Sequence, residues 1–274
     1  MSSVELAARQ ITFGYEGRPV GTDLDLEIPS GGFTVVVGPN ACGKSTLLRA
    51  LSRLLRPTAG QVVLDGHDIA TLPSKQVARR LGLLPQSSIA PDGITVADLV
   101  GRGRFPHQSA LRQWSVADEH AVAAALLATG MTDLADRLVD ELSGGQRQRV
   151  WVAMVLAQDT DLLLLDEPTT FLDIAHQVAL LDLFRDLNER DGRTVVAVLH
   201  DLNQAARYAN HLVVVKDGAV VATGAPGEVL TAELVREVFE LPCRVIEDPV
   251  TGTPLVLPDG RPALDLGAGV ASRR

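Results

Sequence analysis

The chain has 274 residues, 46% of them hydrophobic, and a formal net charge of −9. This length and apolar content suffice for the core of one two-lobed domain, and the acidic balance argues against nonspecific attraction to nucleic acid or anionic lipid. No apolar run approaches the roughly twenty residues that span a bilayer, and no charged-then-apolar signal segment begins the sequence, so a cytoplasmic location is expected.

Short antiparallel strands are expected near the N-terminus, where Ile11-Thr12-Phe13-Gly14-Tyr15 carries one of only two tyrosines. An aromatic in such a strand, taken alone, belongs to a core more often than to a ligand site. The apolar run Phe33-Thr34-Val35-Val36-Val37 predicts a buried strand. It leads into Gly38-Pro39-Asn40-Ala41-Cys42-Gly43-Lys44-Ser45-Thr46, which satisfies G-x-x-x-x-G-K-[ST], and then into a helix predicted over 46–55. Glycines at 38 and 43 let backbone N–H groups turn toward phosphate oxygens, Lys44 reaches the β and γ phosphates, and Ser45 supplies a Mg²⁺ ligand.

A second strand, Leu81-Gly82-Leu83-Leu84, ends at Pro85-Gln86, where a neutral amide is placed to reach a metal or an attacking water; a glutamine after a strand means little by itself. From there to Gln158 only helical patterns appear, so 87–158 reads as an inserted helical lobe, with Ser115-Val116-Ala117-Asp118 opening a helix that closes at Gly130. Within this lobe Leu142-Ser143-Gly144-Gly145-Gln146-Arg147-Gln148-Arg149 precedes an apolar helix over 150–156. Ser-Gly-Gly is ordinary linker chemistry, but the helix that follows argues against a floppy linker.

Leu162-Leu163-Leu164-Leu165-Asp166-Glu167 has the form of a buried parallel strand with carboxylates at its C-terminal end. Joined to a phosphate loop, Asp166 suits Mg²⁺ and Glu167 suits the attacking water. A helix over 175–190, apolar at Val178, Leu181, Phe184 and Leu187, returns the chain to the core. Thr194-Val195-Val196-Ala197-Val198-Leu199 then delivers His200 to the same sheet edge as Asp166; alone it reads as a core histidine, and beside these motifs as a γ-phosphate contact. Asp217-Gly218 marks a hairpin between 212–215 and 219–222, and 265–274 reads as a flexible tail. Strands alternating with helices predict a largely parallel α/β sheet. Cys42 and Cys243 are expected as two reduced thiols, with Cys42 open to alkylation inside the phosphate loop. No Cys/His spacing fits a structural metal, so iron is not expected to bind.

In their order, Lys44, Gln86, Leu142 to Gln146, Asp166-Glu167, Asp173 and His200 resemble the nucleotide-binding subunit of an ABC transporter, over roughly 6–257. The resemblance implies an α/β P-loop NTPase fold: a RecA-like parallel-sheet core, an antiparallel β lobe and an inserted helical subdomain. It implies one cassette over 1–264, with 1–86 and 159–240 as ATPase core, 87–158 as helical subdomain and 241–264 as a small extension. Implied cofactors are ATP and Mg²⁺, with Lys44, Gln86, Glu167 and His200 catalytic and Ser45, Gln86 and Asp166 at the metal. Nucleotide contacts would run along Gly38, Pro39, Asn40, Ala41, Cys42, Gly43, Lys44, Ser45 and Thr46, with adenine on Tyr15. Ser143, Gly144, Gly145, Gln146 and Asp173 would act across a dimer interface, the first four on the partner's γ-phosphate. Two positions depart from the commonest pattern: Ala41 stands where glycine is frequent, and Thr170-Phe171 replaces a more usual Ser-Ala pair.

The resemblance narrows to ferric-siderophore importers through Gly101-Arg102-Gly103-Arg104-Phe105-Pro106-His107-Gln108, 151–158, 200–209 and Asp248-Pro249-Val250-Thr251-Gly252-Thr253-Pro254-Leu255-Val256. The Arg-Gly-Arg-Phe-Pro-His run is read as a docking element for membrane subunits, with a basic surface loop as the alternative. Implied partners are a second copy of the chain, transmembrane permease subunits and, indirectly, a substrate-binding protein, but no nucleic acid; the implied place is the inner face of the cell membrane. Subunits of haem, cobalamin or other metal-chelate importers stay open, as does a soluble non-transport ABC ATPase. That last class usually carries a coiled coil, a zinc hook or a second cassette, and this sequence has none of their signatures.

Overall fold

The computed structural model describes residues 5–15, 17–86, 89–109 and 114–260, so the tail expected over 265–274 lies outside the described residues. Strands β1 (Leu6–Tyr15) and β2 (Arg18–Ile28) pair antiparallel, β3 (Phe33–Val37) enters a second sheet, and α1 (Lys44–Leu51) follows the phosphate loop. Strands β4 (Ala59–Leu64) and β5 (His67–Asp68) complete the antiparallel sheet, ordered β2-β1-β4-β5. The first helix is shorter than its predicted 46–55 because Arg53 turns to a left-handed φ of 65° and the Leu55 amide folds back onto the Arg49 carbonyl.

After α2 (Ser74–Arg80) and β6 (Leu81–Leu84) come α3 (Val96–Gly101), a 3₁₀ segment at Arg102–His107, α4 (Val116–Ala128), two short 3₁₀ turns and α5 (Gly144–Ala157). As expected, Ser115 caps α4 by accepting the Asp118 amide, and Gly130 closes it at a φ of 64°. The Arg102–His107 run, expected as a docking element, is partly packed into the lobe. Arg104 is buried, its Nε donating to Asp118 Oδ1 at 2.8 Å and its guanidinium to the Ala157 carbonyl at 2.7 Å. Gly103 presses against the Met154 backbone, and the His107 ring reaches the Gln158 carbonyl at 2.8 Å. Most of the run fastens helices together, which leaves Arg102 and Phe105 facing outward.

The chain then runs β7 (Leu162–Asp166), α6 (Ile174–Asp191), β8 (Thr194–Val198), α7 (Leu202–Tyr208), β9 (His211–Lys216), β10 (Ala219–Gly224), α8 (Pro226–Val229), α9 (Ala232–Phe239) and the hairpin β11 (Cys243–Glu247) and β12 (Pro254–Pro258). The second sheet has the order β10-β9-β3-β8-β7-β6 and is parallel except for β10 at its edge. Every residue of β3, β7 and β8 is buried, which accounts for their largely apolar runs: Val35, Leu163 and Leu165 face the helical side, while Val36, Leu162 and Leu164 face the antiparallel sheet and α1. Each fully buried leucine contributes about 1.5–3 kcal/mol over an exposed one.

Beside the apolar packing of Val256 and Cys243 in the core, a side chain of α7 hydrogen-bonds the hairpin β11–β12. Asn203 accepts the Val256 amide at 2.7 Å and donates to the Val256 carbonyl at 3.3 Å, as a neighbouring strand would. Among the described residues no helix is long and apolar enough to cross a membrane.

Candidate functional site

Three parallel strands, β3, β7 and β8, end side by side, and in an open α/β sheet the crevice beyond such C-terminal ends is where ligands bind. The loop after β3 gathers Asn40, Ala41, Gly43, Lys44, Ser45 and Thr46 along a cleft of about 620 Å³, opposite Gln86, Glu167 and His200. Gly43 caps α1 at a φ of 104°, and Ala41 sits at 61°, a left-handed conformation that its Cβ tolerates at some cost. This backbone turns the first amides of α1 toward the cleft. The Lys44 ammonium is tethered to the Gly38 carbonyl at 2.8 Å and the Pro39 carbonyl at 2.7 Å.

The Asp217-Gly218 hairpin does more than reverse the chain. Its Gly218 amide donates to the Cys42 carbonyl at 3.0 Å, and a Cβ at Gly218 would lie 1.7 Å from the Val20 carbonyl. Val20 itself lines the cleft, a position no motif announced. Cys42 turns its thiol into the core, 3.9 Å from Lys44 Nζ; burial pushes the thiol pKa up and outweighs the lysine charge that lowers it. A buried, protonated thiol is a poor nucleophile, so the structure weighs against the alkylation expected there.

Asp166 lies beneath the loop, 2% exposed, and accepts the Ser45 hydroxyl at 2.8 Å. Burial raises its pKa, the Ser45 hydrogen bond pulls it back, and the adjacent Glu167 charge raises it again. A buried carboxylate beside a hydroxyl, with the Gln86 amide on the cleft wall, is a hard-oxygen donor set that fits Mg²⁺, whose charge would offset the cost of burying the carboxylate. Glu167 leaves β7 in a left-handed conformation, φ 52°, a strain of the kind that gathers at functional sites. Its Oε1 lies 2.7 Å from His200 Nε2, and its Oε2 takes a long hydrogen bond from the Thr170 hydroxyl at 3.4 Å. A carboxylate only accepts, so Nε2 is the protonated ring nitrogen in this pair. Thr170, flagged in the sequence only as a departure, thus touches the carboxylate expected to act on water.

The remaining residues gather elsewhere. Ser143, Gly144, Gly145, Gln146 and Asp173 line a separate cleft of about 490 Å³ at the start of α5. There Ser143 accepts the Gln146 amide at 3.3 Å while Gln146 Oε1 accepts the Ser143 amide at 3.0 Å, a capping box at the positive end of the helix. Asp173 caps α6 through the His176 amide at 2.9 Å, which with the His176 ring holds its pKa below the usual range. Tyr15 is 45% exposed, its hydroxyl taking a hydrogen bond from Arg49 at 2.8 Å. Within one copy, therefore, the phosphate loop and the Ser143 segment line different clefts.

The ABC transporter family profile matches residues 22–170 of this chain. The chain belongs to the ABC transporter family. As an ABC cassette it is an ATP hydrolase. It is 56% identical over 262 residues to the ferric enterobactin transport ATP-binding protein FepC of Escherichia coli, covering 96% of this chain and 97% of that protein. A probable siderophore transport system ATP-binding protein of Bacillus subtilis, YusV, is 54% identical over 95% of each chain. The cassette also resembles a dimeric ATP-binding cassette solved in a post-hydrolysis state with ADP and Pi bound, at a TM-score of 0.72 and 28% identity, covering 80% of this chain and 98% of that one.

Proposed function

We propose that this cassette is the ATPase subunit that energises import of a ferric siderophore through a membrane permease, working as a pair of copies. One observation carries the chemistry: the Glu167 carboxylate, fixed by His200 at 2.7 Å, faces Lys44 and Ser45 across a single cleft. Glu167 orients a water and accepts its proton as the γ-phosphate leaves. His200 holds that carboxylate in place and presents its ring to the same phosphate. Lys44 supplies fixed positive charge to the β and γ phosphates, and the amides of residues 38–46 cradle them. With Mg²⁺ bound the site gains charge against the phosphate oxygens, and Ser45, Asp166 and Gln86 are the residues that would hold it.

The division of lining residues between two clefts supports the dimer: in a face-to-face pair, Ser143, Gly144, Gly145 and Gln146 of one copy, with Asp173, close over the ATP of the other, adenine resting on Tyr15. Residues 1–86 and 159–240 form the ATPase core in this reading and 241–264 an extension. The lobe 87–158 meets the permease on the inner face of the membrane, with a substrate-binding protein acting further off, and Gln86 lines clefts on both sides of the joint.

The ferric-siderophore class rests on relatives whose names carry it, at 56% and 54% identity over nearly the whole chain. The test is uptake of radioiron-loaded siderophore by iron-starved cells whose only copy carries Lys44→Ala, with cobalamin uptake as control. Selective loss of iron uptake is expected. Unchanged iron uptake with a stable, ATPase-dead variant would overturn the substrate class and leave the cassette standing.

A further inference from the structure

The chain segments that leave β7 and β8 are joined at the cleft by Glu167 and His200, and two polar links join them away from it: Tyr208 to Asp182 at 3.0 Å, farther along α6 and α7, and a glutamine pair beside the loop after β7. Gln177, early in α6, donates its Nε2 to the Leu172 carbonyl at 3.0 Å and, more weakly, to the Thr169 carbonyl at 3.5 Å. Its Oε1 accepts Nε2 of Gln204 on α7 at 2.9 Å, across 27 residues of sequence. The directions of these bonds are forced. Carbonyls can only accept, so Gln177 must turn its nitrogen to the loop and its oxygen to α7, and Gln204 must then present its own nitrogen.

We propose that Gln177 and Gln204 are positioning residues for hydrolysis. The bridge holds the loop from Glu167 to Asp173 at a set distance from the start of α7, and so fixes the spacing of Glu167 from His200. Loop 167–173 makes its own tight turns, with Thr170 N on the Glu167 carbonyl at 3.2 Å and Leu172 N on the Thr169 carbonyl at 3.3 Å. Gripping the carbonyls at 169 and 172 therefore steers Thr170 and, through it, the Glu167 carboxylate. On the other side, Asp201 caps α7 by accepting the Gln204 amide at 3.0 Å, one residue beyond His200. Both halves of the bridge half-bury neutral amides, and neither lines the nucleotide cleft. The bridge should consequently act on turnover and leave nucleotide affinity alone.

The inference rests on Glu167 and His200 acting on the γ-phosphate, and the test separates the two ideas. Steady-state phosphate release by the full-length chain with Mg-ATP would be compared for wild type, Gln177→Leu, Gln204→Leu, the double variant, Gln204→Lys and Gln204→Glu. Each leucine variant should lower kcat about three- to tenfold, the scale of one hydrogen bond, with KM for ATP within about twofold. The double variant should be no slower than the worse single, since both break the same link. Gln204→Lys, still a donor, should keep near wild-type turnover, whereas Gln204→Glu, similar in shape but an acceptor, should fall like the leucine variant. Unchanged kcat in both leucine variants, losses that multiply in the double, a KM that rises with falling kcat, or a fully active Gln204→Glu would each overturn the bridge. Should the leucine variants fail to fold, the lysine and glutamate variants at half-buried Gln204 decide the matter. A wild-type chain that releases no phosphate would overturn the hydrolytic reading and the bridge with it; an active wild type with unaltered variants overturns the bridge alone.

Discussion

Arg104–Asp118 and His200–Glu167 are both acid–base pairs at under 3 Å, yet one is sealed and the other faces a cleft. In the first, both side chains are 7% exposed, Asp118 also accepts the Ser115 hydroxyl at 2.7 Å, and Arg104 also donates to the Ala157 carbonyl at 2.7 Å. In the second, the imidazole is 49% exposed and the carboxylate borders the space beside Lys44. The same kind of pair serves structure where protein encloses it and, in the proposed mechanism, reaction where room is left for another partner. Burial, rather than the identity of the charges, separates the two roles.

The sharpest way to break that contrast is Glu167→Gln, which removes the proposed base and keeps the shape. Its phosphate release should drop about 10²- to 10⁴-fold while ATP still binds and holds two copies together, read by turnover alongside particle size at saturating ATP and Mg²⁺. A variant that stays monomeric there would count heavily against the shared site. Arg104→Ala should do the converse. It strands a buried carboxylate and should lower unfolding stability by about 3–5 kcal/mol in a denaturant titration, with turnover per folded molecule retained.

A pH series sharpens the contrast further. The Ser115 hydroxyl, followed by Arg104, holds Asp118 below its ordinary value of 3.8, so folding favours its ionised form. That contribution is complete above the unfolded-state pKa and is lost as pH falls through the lower folded value. Acid unfolding of Asp118→Asn, followed by circular dichroism, should accordingly show a shallower fall below about pH 4 than wild type, from a lower starting stability. The smallest effect belongs to a pair that is neither sealed nor at the cleft. Arg137 and Glu141 are 3.8 Å apart with both side chains more than half exposed, and Glu141→Gln should shift stability by under about 0.5 kcal/mol.

How much of this could be read from sequence follows the same division. The strands were legible because burial on both faces leaves mostly apolar residues, as in β3, β7 and β8, where only Thr34, Asp166 and Thr194 are polar. The phosphate loop and the Asp166-Glu167 pair were legible because their chemistry demands fixed residue types at fixed spacing. Pairings across the fold were not. Arg104 and Asp118 are 14 residues apart in a stretch whose basic residues look like a surface loop, and nothing in their types announces that they meet. Gln177 and Gln204 carry no charge or period at all. The antiparallel sheet was anticipated only in outline, since register shifts along β1 and left-handed residues such as Gln10 and Asp23 blur its alternation. The early end of α1 depends on a single backbone angle at Arg53 that residue type does not encode.

The grip of Asn203 on both backbone groups of Val256 has a further consequence for how the end of this sequence can vary. Along β12 successive side chains point to opposite faces, and Val256 is buried while Leu257 is 37% exposed. Asn203 therefore acts as a reading frame for the hairpin, selecting which of the alternating residues lies inward. Substitutions in the turn 248–253 leave that frame intact. A single residue inserted or deleted there can change the length of the turn alone, because Asn203 and the paired residues hold β12 in its register; an insertion within β12 itself would turn its inward residues out.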